Sequence, residues 1–385
     1  MNEQILLDLI RRSGPLSRAE LARLSGLSKP TVSQALAGIE RAGLVHVTGQ
    51  RTGVPGPAAA LYEVRPDAGL VLGLDVGRHF LRGAVADLTG TVRSRRTIRA
   101  HTGDPMRGVE ELAELAASLL ADADAAASEI TQTVIGAPGV YDPRRDALML
   151  TGQLRGWESP DVPAALRAQF GDTLMIENDV DAAAIAEGAH GVGRGVDSFA
   201  FVSVGTGIGM GLVLGGRPHR GSHGVAGEIA FLPFTEGPGV DARDARRRGS
   251  FDASVSAAAI VRAARRGKLR GASSAEKVFA AAAAGDPVAM DIVAEEALLV
   301  AKAVCTIITV VDPELVVLGG GIGQAPGFLE AVVDRLRTLA PVLPEVKASV
   351  LGAESVVAGC LVAGLDRAWQ TLTGSGSGAA VAPLP

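Results

Sequence analysis

The sequence predicts an α/β protein in which a small winged helix-turn-helix head precedes a larger body of two related lobes. Apolar residues recur at helical spacing in three short segments of the first 41 residues. Beyond residue 65, buried-strand patterns alternate with helical ones, which is typical of α/β folds. The chain has 385 residues, more than the roughly 250 to 300 that a single core accommodates, so several domains are expected.

Composition excludes several classes of protein. Hydrophobic residues make up 47% and charged residues 21% of the chain, which excludes a disordered or collagen-like protein. The longest nearly apolar run, residues 297–311, is shorter than the roughly 20 residues that span a bilayer. The chain starts with Glu3 and Asp8 rather than a secretory leader, so we expect a cytoplasmic protein. Cys305 and Cys360 lie in apolar contexts and predict buried free thiols.

The charge differs between the start of the chain and the rest. Residues 1–65 carry a net charge of +3, and the remainder carries −8. A basic segment joined to an acidic body is typical of a small polyanion-binding module fused to another domain.

The first 41 residues predict three helices. Residues 3–12 form the first, and Ser17 with Glu20 forms a capping box at the start of the second. Gly26 supplies a tight turn, and Ser28 caps the third helix. Its apolar stripe consists of Val32, Ala35, Leu36 and Ile39. Two short helices, a glycine turn and a third helix predict a helix-turn-helix, whose last helix enters the major groove of DNA.

Two strands follow and complete a winged helix. They lie at residues 44–47 and 60–64, on either side of a Gly/Pro-rich tip at 49–57. We expect Lys29, Ser33 and Gln34 to contact base edges, and Ser28, Thr31 and Arg51 to contact phosphates or the minor groove. The alternative is a three-helix module for protein contacts.

The body contains the same local pattern twice. A buried strand at 71–77 runs into a glycine turn and a second strand at 81–87. A strand at 198–204 likewise enters the glycine turn 205–209, followed by a strand at 210–214. This internal repeat predicts two duplicated lobes that face a cleft.

Six motifs in the body carry a resemblance to a known family. They are LGLDVG at 72–77, IGAPG at 135–139, ENDVDAA at 177–183, VGTGIG at 204–209, HGVAGE at 223–228 and VLGGGIG at 317–323. In this order they resemble the repressor, open reading frame, kinase (ROK) family, which has a two-lobed actin-like sugar-kinase fold. To about residue 372 the chain resembles the regulator branch, to which xylose and N-acetylglucosamine repressors belong and whose members carry an N-terminal winged helix.

The resemblance implies a domain organisation. It comprises a winged helix-turn-helix domain at 1–65, a first lobe at 66–195 with a C-terminal helix at 360–372 returning to it, and a second lobe at 196–359 with the effector cleft and oligomer contacts. The remaining residues, 373–385, are rich in Gly, Ser, Ala and Pro and predict a disordered tail.

The resemblance also implies site residues. Asp179 occupies the position of the catalytic base of the kinases, and we expect it to be a vestige of that role. Seven residues are implied for binding a sugar effector: Gly136, Pro138, Gly139, Asn178, Asp179, Glu228 and Asp252. Five residues are implied as remnants of the phosphate loops: Asp75, Gly77, Gly205, Thr206 and Gly207. From the residues alone, Asn178 and Asp179 before a helix equally predict a helix-capping pair.

The sequence departs from the kinase pattern at two places. Gly77-Arg78-His79 stands where kinases of the family have Gly-Gly-Thr. Phe231 stands where a zinc-binding histidine is expected, and Arg243, Ala245 and Ser250 stand where thiolates are expected. We therefore expect neither a metal nor a cofactor.

The arginine run at 243–248 is interleaved with aspartates and predicts a solvated loop, with contact to an anionic effector or a partner as the alternative.

These features together predict a regulator rather than an enzyme. We expect a sugar-responsive repressor of carbohydrate genes that binds operator DNA as a homodimer or a dimer of dimers, with no membrane partner. One alternative is a sugar kinase with an appended DNA-binding head, favoured by Asp179 and the intact glycine turn at 205–209. Another is a regulator controlled by a partner protein.

Overall fold

The computed structural model describes residues 2–51, 59–101, 103–152, 154–233 and 242–373. Of the predicted wing tip at 49–57, residues 52–57 lie outside these ranges, and so do residues 374–385 of the predicted tail at 373–385. None of the helices in the described ranges is long and apolar enough to cross a membrane.

The head is a winged helix-turn-helix, as predicted. Its elements are α1 (Asn2–Ser13), β1 (Leu16–Ser17), α2 (Arg18–Ser25), α3 (Lys29–Arg41), β2 (Val45–Arg51) and β3 (Ala59–Val64). The three strands form one antiparallel sheet in the order β1-β3-β2. The capping box is confirmed, because the Ser17 hydroxyl accepts the Glu20 N–H and the Glu20 carboxylate accepts the Ser17 N–H.

The first lobe is built on a five-stranded sheet. Its elements are β4 (Leu70–Val76), β5 (Phe80–Asp87), β6 (Val92–Arg99), α4 (Pro105–Asp122), β7 (Ile130–Ala137), β8 (Val140–Asp142), β9 (Ala147–Met149), α5 (Asp161–Phe170), β10 (Leu174–Asn178) and α6 (Asp179–His190). The strand order is β6-β5-β4-β7-β10, with β4, β7 and β10 parallel and the other pairs antiparallel. The strands β8 and β9 form a separate hairpin.

The second lobe repeats this topology. Its elements are β11 (Phe199–Val204), β12 (Ile208–Leu214), β13 (Arg217–Pro218), α7 (Ala242–Arg248), α8 (Ser250–Ser254), α9 (Ala257–Arg266), α10 (Ala275–Ala283), α11 (Pro287–Val311), β14 (Leu315–Gly319), α12 (Gly320–Gly323), α13 (Phe328–Leu339) and β15 (Glu345–Ala348). The strand order β13-β12-β11-β14-β15 matches that of the first lobe in sequence rank and in strand direction. The predicted internal repeat is therefore confirmed.

The last helix, α14 (Ser355–Leu372), starts five residues before the predicted 360 and packs on β4 and β7 of the first lobe. It also lies against α6 so closely that a Cβ at Gly359 would come within 1.7 Å of the Ala182 carbonyl oxygen. On the other side of α6, a Cβ at Gly211 of β12 would lie 2.5 Å from the Val180 carbonyl oxygen. Only glycine allows these two approaches, which place α6 between the last helix and the second-lobe sheet.

The head shares a hydrophobic core with the body. Its buried residues include Leu6 and Tyr62 of the head together with Ala368 and Trp369 of α14. At the edge of this contact, Arg11 of α1 donates to Asp366 of α14 over 2.9 Å. The head is thus attached to the same helix that packs against α6.

The two thiols differ in exposure. Cys360 is buried, as predicted, whereas Cys305 is only half-buried, so that prediction was wrong for it. Its face of α11 is only partly covered, by the end of α13, where the Cys305 thiol donates to the Leu339 carbonyl over 3.4 Å.

One buried carboxyl in α11 makes the stability depend on pH. Glu296 is 4% exposed, and its Oε1 has no hydrogen-bond partner in the described ranges. Burial, with a contribution from Glu295, raises the pKa of Glu296 to about 8. This pKa lies above the value of about 4.3 that a glutamate has in the unfolded chain. The protonated carboxyl therefore makes its full contribution to the free energy of unfolding below about pH 4.3, and this contribution is lost as the pH rises to about 8.

We therefore predict that Glu296→Gln raises the melting temperature more at pH 8.5 than at pH 5, because the amide cannot ionise. Thermal denaturation at both pH values measures this. The exposed neighbour provides the control, since Glu295→Gln should give a much smaller pH-dependent difference. An effect of Glu296→Gln that is equal at the two pH values would contradict the interpretation.

Candidate functional site

The third helix of the head presents a polar face to solvent. Lys29, Ser33 and Gln34 are exposed, whereas the apolar stripe with Val32 and Leu36 is buried in the head. The face that would enter a DNA groove is therefore not covered by the lobes.

The start of this helix is fixed by hydroxyl groups. The Ser28 hydroxyl accepts the Thr31 N–H and also bonds to the Thr31 hydroxyl over 2.8 Å. Ser28 is exposed and Thr31 half-buried, so both lie beside the exposed polar face. Arg51 ends β2, and its side chain lies outside the described part of the structure.

A cavity of about 140 Å³ lies between the two lobes. It is lined by nine of the predicted residues: Pro138, Gly139, Asn178, Asp179, Glu228, Asp252, Gly205, Thr206 and Gly207. We call it the interlobe pocket. The sequence separation of these residues shows that the fold, and not local structure, brings them together.

Asn178 joins two walls of the pocket. Its Oδ1 accepts the N–H groups of Val180 and Asp181, so that it caps α6. Its amide nitrogen donates to the Gly139 carbonyl over 3.0 Å. Gly139 has φ +99°, and a Cβ there would lie 2.4 Å from the Met149 carbonyl oxygen, so no other residue fits this turn. The predicted capping role of Asn178 is confirmed, and it positions the pocket.

Carboxylates dominate the pocket. Asp179 begins α6, and burial raises its pKa to about 6. Burial, together with the neighbouring charges of Asp179 and Asp252, raises the pKa of Glu228 to about 7. Ionised carboxylates accept hydrogen bonds from hydroxyl groups and repel anions. The pocket therefore suits a neutral polyhydroxylated ligand.

Asp252 is held by an arginine that we expected in solvent. Its Oδ1 accepts the Ile208 N–H over 2.8 Å, and its Oδ2 accepts from Arg248 Nε over 2.8 Å. The Arg248 side chain is only 10% exposed. The solvated-loop prediction for 243–248 was wrong at this residue, because 242–248 form α7, which ends against the pocket. Arg248 and Asp252 lie four residues apart, a spacing that indicates an ion pair.

The first phosphate loop is engaged in internal bonds and lies apart from the interlobe pocket. Asp75 is paired across β4 and β5 with Arg82, over 3.0 Å. Burial raises the pKa of Asp75 to about 7 although Arg82 opposes this. The Gly77 N–H donates to the Phe80 carbonyl and closes the turn on itself. Neither Asp75 nor Gly77 lines the interlobe pocket.

The second glycine turn does line the pocket. Gly205 donates its N–H to the Gly207 carbonyl over 2.8 Å, and its own carbonyl accepts the Ala257 N–H. Thr206 at the tip is exposed.

Gly136 lies outside the pocket, although the resemblance implied it there. It sits in β7, where a Cβ would come within 2.6 Å of Val356 and 3.1 Å of Cys360. Its position is explained by packing of α14 on the sheet.

An ion pair behind the pocket was not predicted. Arg220 donates to both carboxylate oxygens of Glu177, the residue before Asn178. It holds the end of β10 against the second lobe. The two residues are 43 positions apart, so no local pattern indicates the pair.

The positions assigned to a zinc ion by the resemblance do not fit one. Phe231 lines the interlobe pocket, and neither it nor Ala245 has a donor atom. The Ser250 hydroxyl donates to the Leu232 carbonyl over 3.2 Å. The side chain of Arg243 lies outside the described structure.

The family follows from a comparison with family models. Residues 71–361 match the model of the ROK family. The chain belongs to the ROK family. Residues 4–53 match the MarR family model, in agreement with the winged helix-turn-helix head.

Curated relatives include both repressors and kinases. The xylose repressor of Bacillus subtilis is 25% identical over 232 residues, which cover 60% of this chain and 60% of the repressor. The bifunctional enzyme NanE/NanK of Brucella suis is 35% identical over 230 residues, which cover 56% of this chain and 42% of the enzyme. The matched segment thus spans less than two thirds of either relative.

Solved structures agree with the fold of both parts. A ROK family transcriptional regulator described as a homolog of the E. coli MLC protein has a TM-score of 0.78 at 23% identity, over 97% of this chain and 96% of that one. The ROK hexokinase of Thermus thermophilus has a TM-score of 0.66 at 29% identity, over 77% of this chain and 98% of that one. The regulator matches head and body together, as the predicted fold class requires.

The buried ion pair beside the pocket gives a test of the site geometry. Arg248→Gln removes the positive charge that faces the buried Asp252 carboxylate, and breaking a buried ion pair typically costs about 3 to 5 kcal/mol of stability. We expect thermal denaturation to show a melting temperature several degrees lower. Arg266→Gln is the matched control, because Arg266 is exposed. Equal effects of the two substitutions would contradict the assignment.

Proposed function

We propose that this ROK protein is a transcriptional regulator whose head binds operator DNA and whose interlobe pocket binds a sugar effector. The proposal rests on features that occur together in this chain. The third helix of the head exposes a polar face, and the body keeps carboxylates at the positions of a sugar site. Asp75 and Gly77, at the position of the first phosphate loop, are engaged in internal bonds. Similarity to xylose repressors supports it.

In the proposed complex, α3 enters the major groove. Lys29, Ser33 and Gln34 contact base edges, and Ser28, Thr31 and Arg51 contact phosphates or the minor groove. A homodimer, or a dimer of dimers, presents two heads to a roughly palindromic operator.

The pocket is connected to the head by two helices in contact. Asp179 begins α6, α6 packs on α14, and Asp366 of α14 pairs with Arg11 of the head. An effector releases DNA only if it binds the released arrangement better, and a tenfold change requires about 1.4 kcal/mol of difference. A sugar that binds more tightly when α6 is displaced would supply that difference.

The first prediction concerns base contacts. Operator sites are selected from random duplexes with the purified protein at about 0.15 M salt. Gln34→Ala should weaken binding to the selected operator by about 1 to 3 kcal/mol and should change the free energy of binding to random DNA much less. The exposed Gln324 of the second lobe provides the control substitution, Gln324→Ala. A loss that is the same on both DNAs would count against base contact.

The second prediction concerns pH. A neutral sugar should bind more tightly at pH 8 than at pH 6, because Asp179 and Glu228 lose their protons over this interval and then accept from its hydroxyls. Calorimetric titration of a sugar panel measures the affinity. Glu228→Gln should weaken binding and reduce the pH dependence. An affinity that falls with pH would contradict the proposed acceptors.

A second candidate function is sugar phosphorylation. Asp179 lines the pocket together with the glycine turn at 205–207, and the kinase relatives support this alternative. Under the proposed function we expect no resident cofactor and no ADP formation from ATP in a sugar panel. Turnover that disappears in Asp179→Asn would establish the kinase instead.

A further inference from the structure

One arginine joins the two chain segments that carry carboxylates of the interlobe pocket. The guanidinium of Arg220, in the second lobe, donates to both carboxylate oxygens of Glu177 in the first lobe, over 2.9 Å from its Nε. The carbonyl oxygen of Arg220 accepts the Ala226 N–H over 3.1 Å. Glu177 lies two residues before Asp179, and Ala226 lies two residues before Glu228. Arg220 therefore connects the segments that supply these two carboxylates from opposite lobes.

The two sides of this contact differ in their surroundings. Glu177 is in β10, opposite Gly136 of β7 in the register of the first-lobe sheet, and its side chain is 6% exposed. Arg220 follows β13 in a segment that is neither helix nor strand, and its side chain is 44% exposed. The pair can therefore separate by movement of Arg220 toward solvent, while both sheets keep their hydrogen bonds.

A cavity lies on each side of the pair. The residues that follow Glu177 line the interlobe pocket, whereas Arg220 itself does not. Arg220 lines another cavity, of about 610 Å³, whose walls come from both lobes and include Met175 and Phe199. Since packed protein interiors resist displacement, cavities on both sides leave the lobes room to move at this contact.

The positive charge of Arg220 acts on more than one carboxylate. Asp181, in the first turn of α6, is 5% exposed. Burial and the charge of Glu177 raise the pKa of Asp181 to about 7, and Arg220 opposes this rise. Separation of Arg220 from the first lobe would leave Glu177 and Asp181 without this charge, and an unpaired buried carboxylate is unfavourable. The pair therefore favours an arrangement in which the two lobes are close together.

We propose that the pair of Arg220 with Glu177 sets how closely the lobes approach over the interlobe pocket. Arg220 is then a positioning residue for the effector, because it holds Asp179 and Glu228 at a separation at which one sugar contacts both. The inference rests on the proposed function, since it concerns the pocket that binds the effector. A pocket whose walls are held in the binding arrangement binds more tightly, because association requires less ordering.

The first measurement needs no ligand. Spin labels at Glu158→Cys in the first lobe and Lys277→Cys in the second, both at exposed positions, report the distance between the lobes. The half-buried Cys305 is replaced by serine in all proteins, so that it does not take up label.

Removal of the pair should broaden the distribution of this distance. We expect Arg220→Gln and Glu177→Gln to have the same effect, and the double variant to show no more than either one, because both substitutions break one contact. Arg217→Gln changes an exposed arginine three residues earlier and is the matched control, which should leave the distribution unchanged.

The second measurement is the affinity for sugars by calorimetry, with xylose, glucose and N-acetylglucosamine as probes. Arg220→Gln and Glu177→Gln should each weaken binding of a sugar that the unchanged protein binds by tenfold or more, and the double variant should bind no more weakly. Arg220→Lys should restore part of the affinity, because an ammonium keeps the charge but lacks the paired donors of a guanidinium. Arg220→Lys also carries the test if Arg220→Gln does not fold.

A static ion pair predicts a different result. It would lower the melting temperature of the variants, while their distance distribution and sugar affinity stay those of the Arg217→Gln control, and this outcome would overturn the inference. Additive effects of the two single substitutions would overturn it as well. Failure of the proposed function is distinct, because neither sugar binding nor operator selectivity would then be found in a protein whose interlobe distance still depends on Arg220.

Discussion

The structure depends on the close packing of α6 between two neighbours. Gly359 of α14 and Gly211 of β12 contact its backbone so closely that neither position accepts a Cβ. The first residue of α6 is Asp179, in the interlobe pocket, and α14 carries the contact to the head. Because packed interiors are dense, a displacement of α6 must be accommodated by both neighbours. The interlobe pocket and the head are thus connected through the contacts of α6 and α14.

The carboxylates of the body differ in how they are paired within the chain. Asp75 is paired with Arg82, and Asp252 with Arg248, so these two carboxylates are neutralised by the chain itself. Glu228 is half-buried, and its raised pKa reflects burial among like charges.

The head and the strand pattern were predictable because their determinants are local. The capping box depends only on residues 17–20, and the glycine turns indicate where the repeated strands end. The residues of the interlobe pocket could be predicted only from the family resemblance, which also assigned Gly136 to the pocket although it lies outside. Pairs such as Arg220 with Glu177 join residues far apart in the chain, and the fold alone brings them together. The contact of Arg248 with Asp252 was not predicted, although the two residues are four positions apart. The run of alternating charges around Arg248 indicated a solvent-exposed loop instead.

The position of α14 has a consequence for synthesis. Of the described elements it leaves the ribosome last, yet it packs on β4 and β7 and contributes Trp369 to the core of the head. The face of β4 and β7 that α14 covers therefore stays exposed until residues 355–372 have been synthesised. Such long-range closure slows folding and leaves apolar surface open during translation. A prematurely terminated chain would expose this surface and be a substrate for chaperones and proteases rather than a shortened folded protein.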